Sequence, residues 1–386
     1  MRGLLMGIPF NKPYMNGREL FNISRAYTNR SLAGDGPFTK HCQGVLSERF
    51  GGRSAFLTHS GTAALELAMH VLDLKPSDEV VVPSFTFVSC ANAVLLAGGT
   101  PVFADVMAET QNLSLASFRR VVSERTRAVV VVHYAGIASE LDEIVSFAKS
   151  KGIVVIEDAA HCLGAYYKGL ELGCHGDFGC FSFHETKNIT CGEGGALLVN
   201  DTKFVARIEI MREKGTDRSR FMRGQVDKYT WQDLGSSYLP SEITAAFLAA
   251  QLDDIELVTQ QRRDAWDHYH ILLSAAEDED LLKRPVVPSG SKGNGHIYYV
   301  LLESLQVRQD VIAALHRLGI QSTFHYVPLH SSPYGKQFRH DSEGMNVCAE
   351  NANRLLRLPM WFGIESTARE LVANSLVLVL RNARHT

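Results

Sequence analysis

The sequence predicts an α/β protein, with a mostly parallel central sheet covered by helices on both faces and a smaller C-terminal α+β domain behind it. Three observations carry this expectation. Residues 128–132 (AVVVV) and 153–156 (IVVI) are continuous apolar runs of strand length, as strands buried on both faces require. Stretches with helical spacing separate such runs, the alternation of βαβ units. The chain of 386 residues is too long for one ordinary core, and its pattern changes after the turn-rich stretch 288–295.

Residues 62–74 (TAALELAMHVLDL) carry apolar side chains at near-helical spacing, and Val80-Val81-Val82 is a β-branched run that Pro83 ends. A strand over 101–105 follows a Gly-Gly turn, and 140–151 reads as a surface helix between the two valine-rich runs. Further strands are expected over 180–183 and 196–199. Residues 242–272 read as one long helix rich in good helix formers. It leads from a large domain, 1–255, into a small one, 256–386. The small domain should hold a strand (296–302), a helix (308–318), a strand (320–326) and two later helices.

Composition narrows the function. A net charge of −3 gives no reason to expect nucleic acid or an anionic membrane as partner. No run reaches the roughly 18 apolar residues of a membrane span. The apolar start, 3–10, runs into Asn11-Lys12-Pro13 without a cleavage pattern and reads as the first piece of the fold. Seven scattered cysteines without a C-x-x-C pair suit a reducing cytoplasm, and fifteen histidines without H-x-x-x-H spacing give metal catalysis no support.

Three groups of residues carry chemistry. Asp158 ends the strand IVVIED, and ligands of open α/β sheets bind at such carboxyl ends. A carboxylate there can keep a pyridinium nitrogen protonated and so make the ring an electron sink; it can equally cap a following helix. Lys187 lies in FSFHETKN, before the Gly-rich turn of Gly192, Gly194 and Gly195. A lysine in such surroundings is a candidate Schiff-base nucleophile. Thr58-His-Ser-Gly-Thr-Ala-Ala64 leads into a helix and offers backbone N–H groups and hydroxyls to an anion; plain N-capping predicts the same residues.

With these residues in view, the chain resembles the DegT/DnrJ/EryC1/StrS aminotransferases of the aspartate-aminotransferase (type I) fold, which use pyridoxal 5′-phosphate. SGTAAL (60–65), PSFTFVS (83–89), ADV (104–106), VVHYAG (131–136), IEDAAH (156–161), FSFHETKN (181–188), EGG (193–195) and SSYLPSEITAA (236–246) run in family order. The resemblance implies that Lys187 is the Schiff-base and proton-transfer lysine and that Asp158 pairs with the pyridine nitrogen. It places His161, on the same face of an expected helix, near the ring hydroxyl, where the family often has Gln. It puts Phe87 on a ring face and Thr62, Ala63 and Ser182 at the phosphate. Many members read G-x-N-Y-R-M-S-E, with the Asn reaching the phosphate of the neighbouring subunit. Here Ser237 takes that place, and the resemblance implies a homodimer with shared active sites.

The run 212–231 (REKGTDRSRFMRGQVDKYTW), with FSFHETKN and TFHYVPLH (323–330), is similar to the branch that aminates C4 of dTDP-4-keto-6-deoxy-D-glucose with L-glutamate. It implies that Arg218, Arg220, Arg223 and Lys228 are candidates for the nucleotide diphosphate. His325, Tyr326 and His330 would face the sugar. The axial or equatorial outcome at C4 stays open, as does a relative acting at C3 or on a UDP- or GDP-linked ketosugar. A dehydratase of the family would carry His in place of Lys187. A non-catalytic protein of the same fold would not need Lys187 and Asp158 together, and a nicotinamide-binding fold would need a G-x-G-x-x-G after its first strand.

Overall fold

Seven strands build the central sheet: β1 (Ser54–Thr58), β2 (Glu79–Pro83), β3 (Thr100–Ala104), β4 (Thr126–Val132), β5 (Val154–Asp158), β6 (Phe178–Ser182) and β7 (Gly195–Val199). In the computed structural model, which describes residues 7–384, their order is β1-β7-β6-β5-β4-β2-β3. All run parallel except β7, which is antiparallel to both β1 and β6.

The valine runs are continuous because both faces of the sheet are dry. Val81, Val129, Val131 and Val155 pack into one apolar cluster with Phe118, Leu141 and Ile144. Their neighbours Val80, Val82, Val130 and Ile156 pack into another with Leu67, Met69 and Val94. Successive strand residues thus feed opposite cores, each fully buried valine contributing about 1.5–3 kcal/mol relative to exposure. The helix expected over 62–74 spans Gly61–His70, and that expected over 140–151 spans Leu141–Ser150.

The C-terminal part pairs Tyr299–Leu301 with Leu355–Arg357 in an antiparallel ribbon. Helices Leu305–Arg317, Asn346–Arg354 and Ser366–Arg384 accompany it, and Tyr269, Tyr298, Val311, Leu356 and Leu376 share a third cluster. Residues 3–6 of the apolar start lie outside the described residues; beyond them, Ile8 donates its N–H to Gly319 O (2.8 Å), and Gln321 N–H donates back to Ile8 O (3.0 Å). Among the described residues, no helix is long and apolar enough to cross a membrane.

Two expectations need correction. Residues 242–272 form two helices, Glu242–Leu252 and Ile255–Leu272. The break falls at Asp253-Asp254, where the Asp254 carboxylate accepts from Tyr14 Oη (2.9 Å), Asn16 Nδ2 (2.6 Å) and Arg18 (2.8 Å). A tie to the N-terminal segment thus overrides helix propensity. The strand expected over 320–326 is also absent. Only Ile320 and Thr323 make isolated bridges, to Ile8 and Arg357, and the segment then carries His325 and Tyr326 into an aromatic group around Tyr134.

Candidate active site

The strand ends set the floor of the site. Asp158 closes β5 between Val132 of β4 and Cys180 of β6. Because β7 runs backwards, its first residue, Gly195, stands opposite both Thr58 and Ser182, the last residues of β1 and β6. A Cβ on Gly195 would come within 2.4 Å of Ser60 O and 2.6 Å of Gly61 N, and one on Gly61 within 2.8 Å of Ser182 Cβ. Only glycine lets these backbones close on the N-terminus of helix Gly61–His70.

That terminus is a ready anion cradle. Ser60 Oγ caps it by accepting the Ala63 N–H (3.0 Å), and the Thr62 hydroxyl meets Ser89 Oγ (2.7 Å). The N–H groups of Gly61 and Thr62, in the first turn, have no intrahelical acceptor and sit at the positive end of the helix dipole.

Lys187 rides on the β6–β7 connection, where Phe183 N–H donates to Gly194 O (2.8 Å), Glu185 N–H to Gly192 O (2.9 Å) and Cys191 N–H to Phe183 O (2.9 Å). Gly192 supplies the left-handed turn (φ +81°). The half-buried Lys187 shares one cavity with His161, Ser182 and His296. Burial pushes its amine down to about 8, with Asp158 pulling upward and Arg357 adding to the fall.

Asp158 accepts a thiol proton from Cys90 (3.0 Å) at one oxygen and the Ala160 N–H (3.1 Å) at the other. The same carboxylate therefore both faces the site and stabilises its local turn. No helix follows it, so His161 does not arrive on a helical face as expected. A turn, with Cys162 N–H donating to Ala159 O (2.9 Å), brings it in.

Burial first, then Lys187 and His325, keep His161 well below the usual histidine range, so the ring is neutral. Its Nδ1 accepts the Ala135 N–H (3.3 Å), which leaves Nε2 as a donor. His296 packs 4.5 Å from it, oriented by Asn188 Oδ1 (2.8 Å), while Asn294 Nδ2 donates to His161 O (2.7 Å).

Aromatic side chains form the other wall. Phe87 is 55% exposed despite its size, 6.3 Å from the Tyr326 ring. Tyr326 lies against His325, at 3.6 Å, and burial holds its phenol protonated. His325 is neutral, driven down to about 2 by burial, then by Arg357 and Lys187. Its Nε2 accepts from Arg357 (3.4 Å), so Nδ1 donates to the Tyr134 hydroxyl oxygen (3.1 Å).

The structure thus gathers Lys187, Asp158, His161, Ser182, Phe87, His325 and Tyr326, with the Thr62–Ala63 turn below. It does not gather the rest. Arg218 is paired with Glu213, and Arg223 with Glu209 (2.5 and 2.8 Å). Arg220 and Lys228 are exposed; Ser237 is exposed on a bridge to Glu213. His330 is held by Ser84 (2.7 Å) beside His340. Sequence reasoning missed Cys90, Tyr134, Asn188, His296 and Arg357. Tyr134 and Asn188 stand inside quoted motifs, Arg357 inside LRLPMW (356–361), with which the resemblance ends, and Cys90 directly after one; His296 carries no local signal.

A poised lysine, a carboxylate at a strand end and an anion cradle fit pyridoxal 5′-phosphate, with Lys187 for its aldehyde, Asp158 for its ring nitrogen and the Gly61–Thr62 turn for its phosphate. The fold and site define a pyridoxal-phosphate-dependent aminotransferase. The chain belongs to the DegT/DnrJ/EryC1/StrS aminotransferase family, whose profile matches residues 14–377. It is 32% identical over 365 residues to EpsN of Bacillus subtilis (strain 168), described as a pyridoxal phosphate-dependent aminotransferase, covering 91% of this chain and 90% of that one. The aminotransferase TlmJ of Streptoalloteichus hindustanus superposes with a TM-score of 0.89 at 27% identity, over 98% of this chain and 100% of that one. Spr1654 of Streptococcus pneumoniae, described as a sugar aminotransferase and solved in a PMP form, also gives 0.89, at 25% identity over 98% and 99%.

Proposed function

We propose that the protein moves the amino group of L-glutamate to C4 of dTDP-4-keto-6-deoxy-D-glucose, giving a dTDP-4-amino-4,6-dideoxyhexose and 2-oxoglutarate. The observation that carries transamination is the Lys187 amine, poised near neutrality beside Asp158 and neutral His161. Support for a sugar acceptor comes from the likeness to Spr1654, and for its nucleotide from the runs 212–231 and 323–330.

Pyridoxal phosphate, when bound, supplies an electron sink for the carbon that loses or gains a proton. Lys187 takes that proton from the donor's Cα and later delivers one to C4 of the sugar. Asp158, oriented by Cys90 and Ala160, holds the proton of the ring nitrogen. His161 offers its Nε2–H to the ring hydroxyl, and Phe87 packs on the ring face.

Thr62 and Ser182 hold the phosphate, and Ala63 orders the turn through its bond to Ser60. Ser237 reaches the phosphate of a second copy. His325 and Tyr326 face the sugar; His330, held by Ser84, positions the segment behind them. A homodimer also accounts for the exposed Leu20, Phe21, Tyr27, Met222, Trp231 and Leu234. It leaves Arg223 and Lys228 to meet the nucleotide of either copy.

The test is the visible spectrum of the purified holoenzyme. L-glutamate should remove the absorbance of the lysine-bound cofactor and the ketosugar should restore it, with NMR of the product giving the configuration at C4. Loss without return would exclude the acceptor, and no loss would exclude the donor. A gel-filtration mass of one chain would exclude the shared site.

A further inference from the structure

His296 is buried beside the lysine, and its hydrogen bonds fix which ring nitrogen holds the proton. Asn188 Nδ2 donates to Asn294 O (3.1 Å), so the oxygen of that amide is the end turned to His296 Nδ1 (2.8 Å). Asn294 Nδ2 donates to His161 O (2.7 Å) and Leu163 O (3.0 Å), and its Oδ1 accepts the His296 N–H (3.1 Å). An oxygen facing Nδ1 requires a proton there. Burial, then His161 and Lys187, keep the ring neutral, so Nε2 has a lone pair and no proton.

The three neutral histidines of the site differ in what claims that lone pair. His161 Nδ1 accepts from Ala135 N–H, and His325 Nε2 accepts from Arg357. Among the described residues, only Asn188 is hydrogen-bonded to the His296 ring, and it occupies Nδ1. A buried acceptor left without a donor is costly.

The cavity supplies the donor. His161, Ser182, Lys187, Asn188 and Asn294 line it with His296. Both asparagines have spent their N–H groups on backbone carbonyls. Ser182 stands at the phosphate end, opposite Gly195, and His161 turns its Nε2–H to the cofactor. Lys187 remains, with three N–H groups when protonated. In the adjoining cavity Thr186 is bonded to His184 (3.0 Å), Arg262 donates to three carbonyls, and Arg357 reaches His325.

We infer that His296 Nε2 accepts a hydrogen bond from the Lys187 amine and steadies the lysine while it holds the proton in transit. His296 is then a positioning residue, an inference that rests on the reading of Lys187 as the proton-transfer lysine. When Lys187 takes the proton from the donor's Cα, the electron pair stays with the carbon and the amine becomes an ammonium in a dry site. A neutral acceptor stabilises that charge without a second charge to desolvate. Asp158, Cys162, His161, His325 and Arg357 also face the amine, and of these Asp158 is committed to the ring nitrogen while Arg357 repels an ammonium.

The test compares wild type, H296F and H296Q. As apoenzymes they are mixed with pyridoxal phosphate, and capture is followed between about pH 5 and pH 10.5. H296F removes the acceptor, so the wild-type inflection at about 8 should fall by about 1–2 units. H296Q, whose amide can donate to Asn188 and offer its oxygen in place of Nε2, should stay close to wild type. A role in packing alone predicts the opposite sign, because a loosened site admits water and the inflection climbs toward 10.5. In the holoenzyme, H296F should convert L-glutamate about 10- to 100-fold more slowly, with a larger isotope effect for α-deuterated glutamate and unchanged half-saturation.

An inflection that rises or stays put in a folded H296F would overturn the inference and leave Nε2 to Arg357 or Asn11. An isotope effect equal to that of wild type would overturn the part in proton transfer. H296L has the same expected outcome and decides the matter if H296F does not fold. If K187A captures the cofactor as wild type does, the reading of Lys187 fails instead. If wild type ignores glutamate, the donor assignment fails, while the capture profiles still decide the role of His296.

Discussion

At pH 7 an ordinary lysine is almost wholly protonated and inert toward an aldehyde. With its amine moved from 10.5 to about 8, Lys187 is roughly 9% unprotonated at that pH, against about 0.03%, a gain of ~300-fold in the attacking form. Burial produces the shift and Asp158 opposes it, so the perturbation to make is Asp158→Asn.

The assay mixes apoenzyme with pyridoxal phosphate and follows capture by absorbance between about pH 6 and pH 10.5. For the wild type the rate should rise with pH and level off above about 8. For Asp158→Asn the inflection should move to lower pH, because the charge that raises the amine's pKa is gone. The folded pKa lies below the unfolded one, so apoenzyme stability should climb as pH rises between about 8 and 10.5. A capture rate that keeps rising past about pH 9.5 without inflection would refute the claim that burial poises Lys187.

The same Asp158→Asn change should lower turnover by about 10³-fold even as capture becomes easier near neutrality; a mild loss would leave Asp158 only its role in the turn. Glu157, on the other face of β5, accepts from His133 Nε2 (2.9 Å) and the N–H groups of Gly173 (2.8 Å), His175 (2.7 Å) and Gly176 (2.6 Å). Glu157→Gln strands about two of those donors and should cost roughly 3–6 kcal/mol in urea unfolding. Burial pushes the Glu157 carboxyl up, but His133 and these donors hold it below its usual range, so this stability should be lost as pH falls through the lowered value. Gly195→Ala forces a Cβ against Ser60 O, so melting should report a loss of about 1–3 kcal/mol. Dialysis should then strip the cofactor faster; retention equal to wild type would dismiss the cradle.

Much of the architecture was legible because it is local. The runs at 80–82, 128–132 and 153–156 became strands where expected, since a strand dry on both faces leaves continuous apolar sequence. Ser60 at the start of an apolar helix and Gly195 at the start of β7 were likewise visible as residue types that their backbones require. The break at Asp253-Asp254 was not, because the groups that hold Asp254 stand 236 to 240 residues away. The turn after Asp158 was hidden for a similar reason, since His161 is placed by Ala135 and Asn294.

By itself, the sequence determined the strands of the valine runs and the helices between them, the motifs that carry Lys187 and Asp158, and the family, because periodicity, turn residues and contiguous motifs are properties of neighbours along the chain. Only the tertiary structure decided that Cys90 steadies Asp158, that His161, His296 and His325 are neutral, and that Arg357 reaches His325. Those facts depend on desolvation and on partners from distant segments, and burial exists only once the chain has closed around them.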